Sequence, residues 1–530
     1  MSKNLQYENA AEFVRSFQEG KISHYSFLKR ATTVFGSRAL ANVALAACVP
    51  TQPDGVSLST VTNEESNSES KYIITAEDVE ELRTRFQGNL ILPDDSGYDE
   101  ARVLWNARFD KRPSLIAQCE SVEDVQTIVR FAHEKNIGAA VRSGLHDMSG
   151  RCLIDNELSI DMTKMKGIEV DAERGVVRVQ AGAQWREVTP AVQEFGFLAG
   201  GPMDSNVTVS GYGLGGGLNL FMRAHGLGCD NILSIDMVTA DGELITVNEN
   251  SHADLFWGMR GAGANFGVVT SMEYRLYPIK TVLAGSITWA LSKDDPHSSA
   301  REIMKFLRDY NRTVPDEVTT FAYLLSDPDV GPIISIWTAY AGDVAEGEEI
   351  LAPLRAFGEP IADDVREVTY EEQQTRVDFV APPNRHYYYR TQLLQELNDA
   401  TLDALIDEYV ENTVPEIFVI LEHFGGAIAR VPEDATAFAG RDADYCLLFG
   451  GGTDTAAEME QDIGPVIRSL GESMTPFTTG HAYINYLDSD EVARVPSAYG
   501  VVRYTRLQGL KMQYDPTNVF RFSQSIRPSS

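Results

Sequence analysis

"SGYGLGGGLNLFMRAHGLGCDNILSIDMVTADG", Ser210–Gly242, is the densest glycine stretch of the chain. Gly211, Gly213 and Gly216 form a formal GxGxxG, and Asp236 lies about twenty residues on, as a nicotinamide-dinucleotide fingerprint would have it. That fingerprint needs a buried hydrophobic strand directly before its first glycine. Residues 204–210, "DSNVTVS", are short and polar instead. An NAD(P)-dependent dehydrogenase using Gly211–Gly216 is therefore the minor reading, beside a glycine run that only packs. One physical expectation holds for any ligand: glycines let backbone amides approach an anion closely, and successive N–H groups form a nest.

Upstream, "VRSGLHDMSGR" (Val141–Arg151) gathers His146 with two glycines, two serines and two arginines. Composition alone leaves His146 open between a turn residue and an attachment point. Around these stretches the pattern is regular. "ITAEDVEELRTRF" (74–86) predicts a helix with a Thr cap. "SVEDVQTIVRFAHEKNI" (121–137) predicts a second, capped by Ser121, with Val122, Val125, Ile128, Val129 and Ala132 on one face. "QWREVTPAVQEFG" (184–196) predicts a third. Short β-branched runs such as "GVVRVQAG" (175–182), "LITVN" (244–248) and "FGVVTSMEYRLYPI" (266–279) read as strands. From about residue 280 to 479, strands such as "SITWAL", "PIISIWTAYAG" and "YCLLFGGG" alternate with helices such as "TLDALIDEYVEN". The last fifty residues read as short aromatic strands, the helix "VVRYTRLQGLKMQYD" and a tail. The fold class is α+β without clean βαβ alternation.

At 530 residues and 43% hydrophobic, the chain can bury large cores. Seventy-seven acidic against 45 basic residues give a net charge of −32, which repels phosphate backbones and argues against nucleic-acid partners. The five cysteines, Cys48, Cys119, Cys152, Cys229 and Cys446, form no CxxC pair; HExxH, GxxxxGK[ST] and GxSxG are absent from the sequence. Neither a disulfide framework nor a zinc, P-loop or hydrolase-elbow signature is present, and no metal is expected. "KISHYSFLKRATTVFGSRALANVALAAC" (Lys21–Cys48) is basic, then apolar with small residues, ending Leu-Ala-Ala-Cys. A cytoplasmic helix is favoured, with export or lipid anchoring at Cys48 as the other reading; Arg38 leaves the run too short to span a bilayer. Residues 51–70 are polar and aromatic-free, the composition of a flexible linker.

In order along the chain, "VLWNARFDKRPSLIAQCESVEDVQTIVRFAHEKNI", "AAVRSGLHDMSG", "GVVRVQAGAQWREV", "LGGGLNLFMRAHGLGCDNILSIDMVTADGELITV", "DLFWGMRGAGANFGVVTSMEYRLYPI", "HAYINYLDSD" and "YDPTNVFRFSQSI" resemble the berberine-bridge-enzyme-like branch of the vanillyl-alcohol-oxidase/p-cresol-methylhydroxylase (PCMH-type) flavoproteins. The resemblance implies an N-terminal segment and linker over residues 1–72, an FAD-binding domain over 73–279 with its core at about 109–279, an inserted antiparallel-sheet substrate domain covered by helices over 280–479, and a C-terminal segment over 480–530 that completes the FAD domain.

It also implies roles. His146 would bond covalently to the flavin 8α-methyl, with Arg142, Ser143, Gly144 and Leu145 in the phosphate-cradling loop. Val209, Ser210, Gly211, Gly215 and Gly216 would touch flavin or diphosphate through backbone. Asn231 and Ile232 would lie by the cofactor, Gly267 and Val269 would wall the adenine, and Asn518 and Phe520 would close the isoalloxazine side. The family usually has Gly-Gly-His where this chain has Gly144-Leu145-His146; a left-handed φ at the middle position would strain a leucine. Some members carry a second link from a cysteine about eleven residues before the glycine run, where this chain has Asp204, so a single link is expected. Cys229 reads as core. The resemblance makes Tyr486 of "YINY" the base for hydride transfer to flavin N5, beside Tyr483, with Arg390 as the positive charge that depresses its pKa and Tyr388 or Tyr389 facing substrate. Val207 tilts reoxidation toward O2 with release of hydrogen peroxide, with another acceptor as the alternative. The substrate would be a small molecule bearing a hydroxyl or an amine. A non-catalytic flavin- or ligand-binding protein is the reading from outside enzymology.

Overall fold

The computed structural model describes residues 72–376, 378, 381–521 and 526–528. The apolar stretch ending at Cys48 and the linker over residues 51–70 lie outside the described residues.

The predicted helices form where their caps allow. Thr75 and Ser121 each make a reciprocal capping box, opening the helices Ala76–Arg83 and Val122–Lys135. The second ends at Asn136 in the left-handed region, φ 53°. Its Val125, Ile128, Val129 and Ala132 are fully buried, as the spacing predicts.

Three sheets follow. Strands β1 (Asn89–Ile91), β2 (Leu115–Gln118), β3 (Ala139–Arg142) and β4 (Leu158–Asp161) form the first, in order β1-β2-β4-β3; β4 runs parallel to both β2 and β3. Strands β5 (Ile168–Asp171), β6 (Val176–Gln180), β7 (Ile232–Thr239), β8 (Leu244–Asn248) and β9 (Gly267–Arg275) form an antiparallel second sheet, β5-β6-β9-β7-β8. The third is antiparallel throughout: β10 (Val282–Ala290), β11 (Val318–Asp327), β12 (Gly331–Tyr340), β13 (Ala362–Asp363), β14 (Arg366–Val368), β15 (His386–Leu394), β16 (Ile417–His423) and β17 (Tyr445–Thr453), ordered β13-β10-β12-β11-β16-β17-β15 with β14 beside β10.

Successive side chains on a strand point to opposite faces, and this divides the third sheet. Ala322, Leu324, Val419, Leu421, Leu447 and Phe449 join one core with Ile303 and Leu307 of the helix Pro296–Asn311 and Leu402 and Leu405 of the helix Asp399–Glu411. Phe321, Tyr323, Leu325, Phe418, Ile420, Glu422 and Leu448 turn the other way and line a cavity. The sheet is thus a roof with helices above and a ligand chamber below.

Two expectations change. Of the glycine fingerprint, Gly211 and Gly213 lie inside the short helix Val209–Gly215 and Gly216 caps its end, with Thr208 at the N-cap and no strand leading into it, so it is not a strand-to-helix dinucleotide turn. Residues 480–500 contain 3₁₀ turns at Ile484–Tyr486 and Ser489–Arg494 and a helix at Val495–Tyr499, not strands. The aromatic run there packs by burial, without a partner strand.

The C-terminal segment is fastened by a buried cation. Lys511, on the helix Val501–Tyr514, donates to the carbonyls of Asn265 and Phe520 and to the Asp515 carboxylate, each at 2.7 Å. Asp515 accepts from the Val519 and Phe520 amides at 2.8 and 2.9 Å, and Val519 accepts from Ala139 on β3 at 2.9 Å. Both side chains of the pair are fully buried. Removing one partner of such a pair leaves an uncompensated charge and costs about 3–5 kcal/mol. Lys511→Met is therefore expected to lower the denaturant unfolding midpoint by that amount of stability; an unchanged midpoint would contradict this role.

Candidate functional site

The cavity has a volume of about 370 Å³ and draws its wall from chain regions far apart in sequence. The loop after β3 gives Ser143, Gly144, His146 and Arg151. The helix Val209–Gly215 gives Ser210, Gly211 and Gly215. Gly267 and Val269 come from β9, Phe520 from the C-terminal segment, and Tyr389, Tyr483 and Tyr486 from the roof side.

Close approach explains two glycines. A Cβ at Gly144 would overlap the Thr208 side chain, whose hydroxyl lies 3.1 Å from that of Ser143. A Cβ at Gly215 would collide with Asn485, which donates to the carbonyls of Gly211 and Tyr212 at 3.2 and 3.4 Å. A helix's first turn also leaves N–H groups without intrahelical partners. Bare backbone from two segments therefore faces one chamber. Val141, Ala139, Val269 and Phe520 supply apolar wall on the same chamber. These residues fit a flavin dinucleotide: an amide-rich, side-chain-free edge for the diphosphate and apolar surface for the rings.

Leu145 carries no strain. Among the described residues its φ is not among the positive non-glycine values, and its carbonyl accepts from the Trp105 and Asp147 amides at 3.0 Å each. The loop makes no demand for glycine there.

His146 is held on two sides. Its Nε2 lies 3.0 Å from Asp204 Oδ2. Its ring stacks on Trp105 with centroids 4.2 Å apart and planes 19° from parallel, and Trp105 stacks in turn on Tyr387 at 4.2 Å. Burial pushes the Asp204 carboxyl up, but the hydrogen bond from His146, with the Asn206 donors, brings it below its ordinary value.

Several anticipated residues stand elsewhere. Arg142 is buried with its guanidinium on the Ala101 carbonyl and is not in the cavity wall. Asn231 is occupied by the carbonyls of His225 and Leu227 and by the Tyr277 hydroxyl. Ile232 opens β7, Val209 is buried with its carbonyl accepting from the Tyr274 hydroxyl at 3.2 Å, and Gly216 ends its helix at φ 137°. Asn518 turns the chain at φ 55° without reaching the cavity. Arg390 forks onto Asp490 at 2.9 and 2.8 Å. Of the tyrosine run, Tyr389 faces the cavity, whereas Tyr388 donates to Asp490 at 2.8 Å on the other face of the sheet. Cys229 is buried, and its thiol is pushed up chiefly by that burial.

The expected chemistry around Tyr486 is corrected. Burial, then the nearby Glu422 carboxylate, pushes its hydroxyl well above the usual tyrosine range. Arg390 is spent on Asp490, and among the described residues no cation acts to depress Tyr486. Instead Tyr486 donates to Glu422 Oε1 at 3.0 Å, while Oε2 has no hydrogen-bond partner among the described residues. Burial lifts Glu422 to about 7, against smaller lowering by Cys446 and Tyr486. Tyr483 packs edge-on against Tyr486 at 4.7 Å; its oxygen accepts from the Gly217 amide and from Asn485, each at 3.0 Å.

Sequence reading passed over Glu422, Trp105 and Arg151. The signal for Glu422 is a single acid inside the apolar strand "IFVILEHF"; buried carboxylates are rare without a purpose. Arg151 lines the cavity, donates to the Asp488 carbonyl at 3.1 Å and keeps Nη1 without a partner among the described residues.

Comparison with known proteins agrees with this geometry. A family model described as an FAD binding domain matches residues 113–248, and one described as berberine and berberine like matches residues 482–527. An uncharacterised FAD-linked oxidoreductase of Bacillus subtilis, YgaK, is 30% identical over 456 residues, covering 84% of this chain and 98% of its own. The (R)-6-hydroxynicotine oxidase of Paenarthrobacter nicotinovorans is 29% identical over 456 residues, covering 83% and 97%. The crystal structure of 6-hydroxy-D-nicotine oxidase from Arthrobacter nicotinovorans superimposes with a TM-score of 0.76 at 28% identity, covering 84% of this chain and 98% of that one. A berberine-bridge-enzyme-like protein of Physcomitrella patens, at 23% identity and a TM-score of 0.77 over 85% and 99% of the two chains, shares the fold. A chamber edged by bare backbone, roofed by an antiparallel sheet and closed by a berberine-like C-terminal segment thus places this chain among the berberine-bridge-enzyme-like FAD-linked oxidoreductases.

Proposed function

We propose that this enzyme oxidises a small, largely apolar molecule bearing one hydroxyl or amine, with Tyr486 and Glu422 removing the proton and His146 anchoring the cofactor. The observation that carries this reading is Glu422: a buried carboxylate, lifted to about 7, hydrogen-bonded to a tyrosine in the cavity wall. Bound FAD supplies a two-electron acceptor at flavin N5.

The chain's own contribution is proton handling and orientation. Tyr486 is too weak an acid to act near neutrality as a tyrosinate. It can accept the substrate proton only while passing its own to Glu422, so the two work as a relay with Glu422 as the sink. Tyr323, Leu325, Phe418, Ile420, Leu448 and Tyr389 surround this pair with aromatic and aliphatic surface. That wall suits a ring or hydrocarbon body better than an oligosaccharide, which would call for many more donors and acceptors. Val207 also lines the cavity, and the named relatives include an oxidase; both support O2 as the acceptor, with hydrogen peroxide as product.

Four outcomes are expected. Oxygen uptake in a panel of aromatic amines, aromatic alcohols and sugars is expected with the aromatic members; turnover confined to sugars would refute the substrate class. Since Glu422 must be ionised to accept a proton, kcat/KM is expected to rise with pH through about 7 and to fall away below it. Glu422→Gln should abolish that ascending limb and lower the rate by about 10²–10⁴-fold; an unchanged limb would remove Glu422 from the relay. His146→Ala should leave its flavin extractable by acid, whereas wild type retains colour in the precipitate.

A further inference from the structure

The cavity wall contains one arrangement that the relay does not use: the carboxylate of Asp204 fastened to the imidazole of His146. From it, and resting on the reading of His146 as the flavin anchor, we infer that Asp204 prepares the histidine for attachment by holding its Nε2–H tautomer and leaving Nδ1 as the nucleophile.

Asp204 is itself immobilised. Oδ1 accepts from the Asn206 amide at 2.8 Å and from the Asn206 side chain at 3.1 Å, while Oδ2 faces His146 Nε2 at 3.0 Å. A carboxylate only accepts, so Nε2 must donate. A neutral imidazole carries one ring proton, and placing it on Nε2 strips Nδ1. Trp105 fixes the ring plane by stacking, and is fixed in turn by its indole N–H on the Ala381 carbonyl at 2.8 Å. Position, tautomer and plane of His146 are thus all set by protein groups before any ligand arrives.

The bond-forming step balances as follows. The His146 Nδ1 lone pair forms a bond to the flavin 8α-carbon, and one C–H bond at that carbon breaks. The C–H proton leaves to solvent, and the Nε2 proton passes to Asp204. Attachment would release two electrons along with these two protons, and dissolved O2 would take up both as hydrogen peroxide. Asp204 favours the step twice, by fixing the neutral ring's proton on Nε2 and by accepting that proton, which the alkylated imidazole must lose.

Asp204→Asn keeps the shape but offers an amide N–H to Nε2, which moves the ring proton to Nδ1. The test follows FAD added to flavin-poor full-length protein. Total bound flavin is read from visible absorbance, and covalent flavin from acid precipitates and from the mass gain of one FAD. D204N is expected to bind FAD to the same total while attaching it at least tenfold more slowly, and His146→Ala to bind without attaching. D204N attaching at the wild-type rate, with His146→Ala still blocked, would overturn this inference and leave the anchor standing; so would an effect of D204N on substrate KM alone. Covalent flavin in His146→Ala, or none in wild type, would overturn the anchor and the inference together. Should D204N bind no FAD, Asn206→Ala, which loosens Asp204 without removing it, is read the same way: slowed attachment at full binding supports the inference, and an unchanged rate overturns it.

Discussion

Glu422 lies in an apolar sheet face with one hydrogen-bonding hydroxyl, that of Tyr486 at 3.0 Å. A carboxylate in such surroundings pays for its charge with a raised pKa, and here that leaves it near 7. The rest of the architecture serves that placement. Strand alternation brings Phe418, Ile420 and Glu422 to the cavity face and sends Val419 and Leu421 to the helix-covered core. Antiparallel pairing sets Glu422 opposite Phe321 on β11 and Cys446 on β17, so its flanks are apolar or weakly polar. The Ile484–Tyr486 turn then delivers the hydroxyl from a distant part of the chain.

The opposite side of the chamber follows a different rule. There backbone, not side chains, is the working surface, and Gly144 and Gly215 are required because Thr208 and Asn485 occupy the space a side chain would take. The neighbouring Leu145 shows how local that requirement is, since its φ stays out of the left-handed region. The Lys511–Asp515 pair holds the final segment so that Phe520 closes this side. A chamber assembled from such separate segments depends on these tethers, because none of the segments forms the site alone.

Much of this was legible in the sequence because it depends on local rules. Capping boxes at Thr75 and Ser121 and the spacing of Val125, Ile128, Val129 and Ala132 fix helices without reference to the rest of the chain. The family resemblance placed Ser143, Gly144, His146, Ser210, Gly211, Gly267 and Phe520, which do share one cavity. What sequence missed depends on tertiary partners. Arg390 looked free to depress Tyr486 until the fold set it on Asp490. Arg142 looked like a phosphate ligand until its side chain turned to Ala101. Asp204 was noticed only for not being cysteine, because nothing in the linear order shows that it meets His146 across fifty-eight residues. The aromatic run near Tyr483 read as strands because aromatic content alone cannot separate a strand from buried 3₁₀ turns.

In the proposed function, cofactor and substrate meet between His146 on one side and the Tyr486–Glu422 relay on the other. A crystal structure of the flavin-loaded enzyme with an unreactive aromatic amine or alcohol tests it most directly. Flavin density continuous with the His146 imidazole is expected, with the ligand's hydroxyl or amine within hydrogen-bond reach of Tyr486, about 2.6–3.2 Å. A ring system seated away from His146, or a ligand whose polar group turns from Tyr486 toward another side chain, would contradict it.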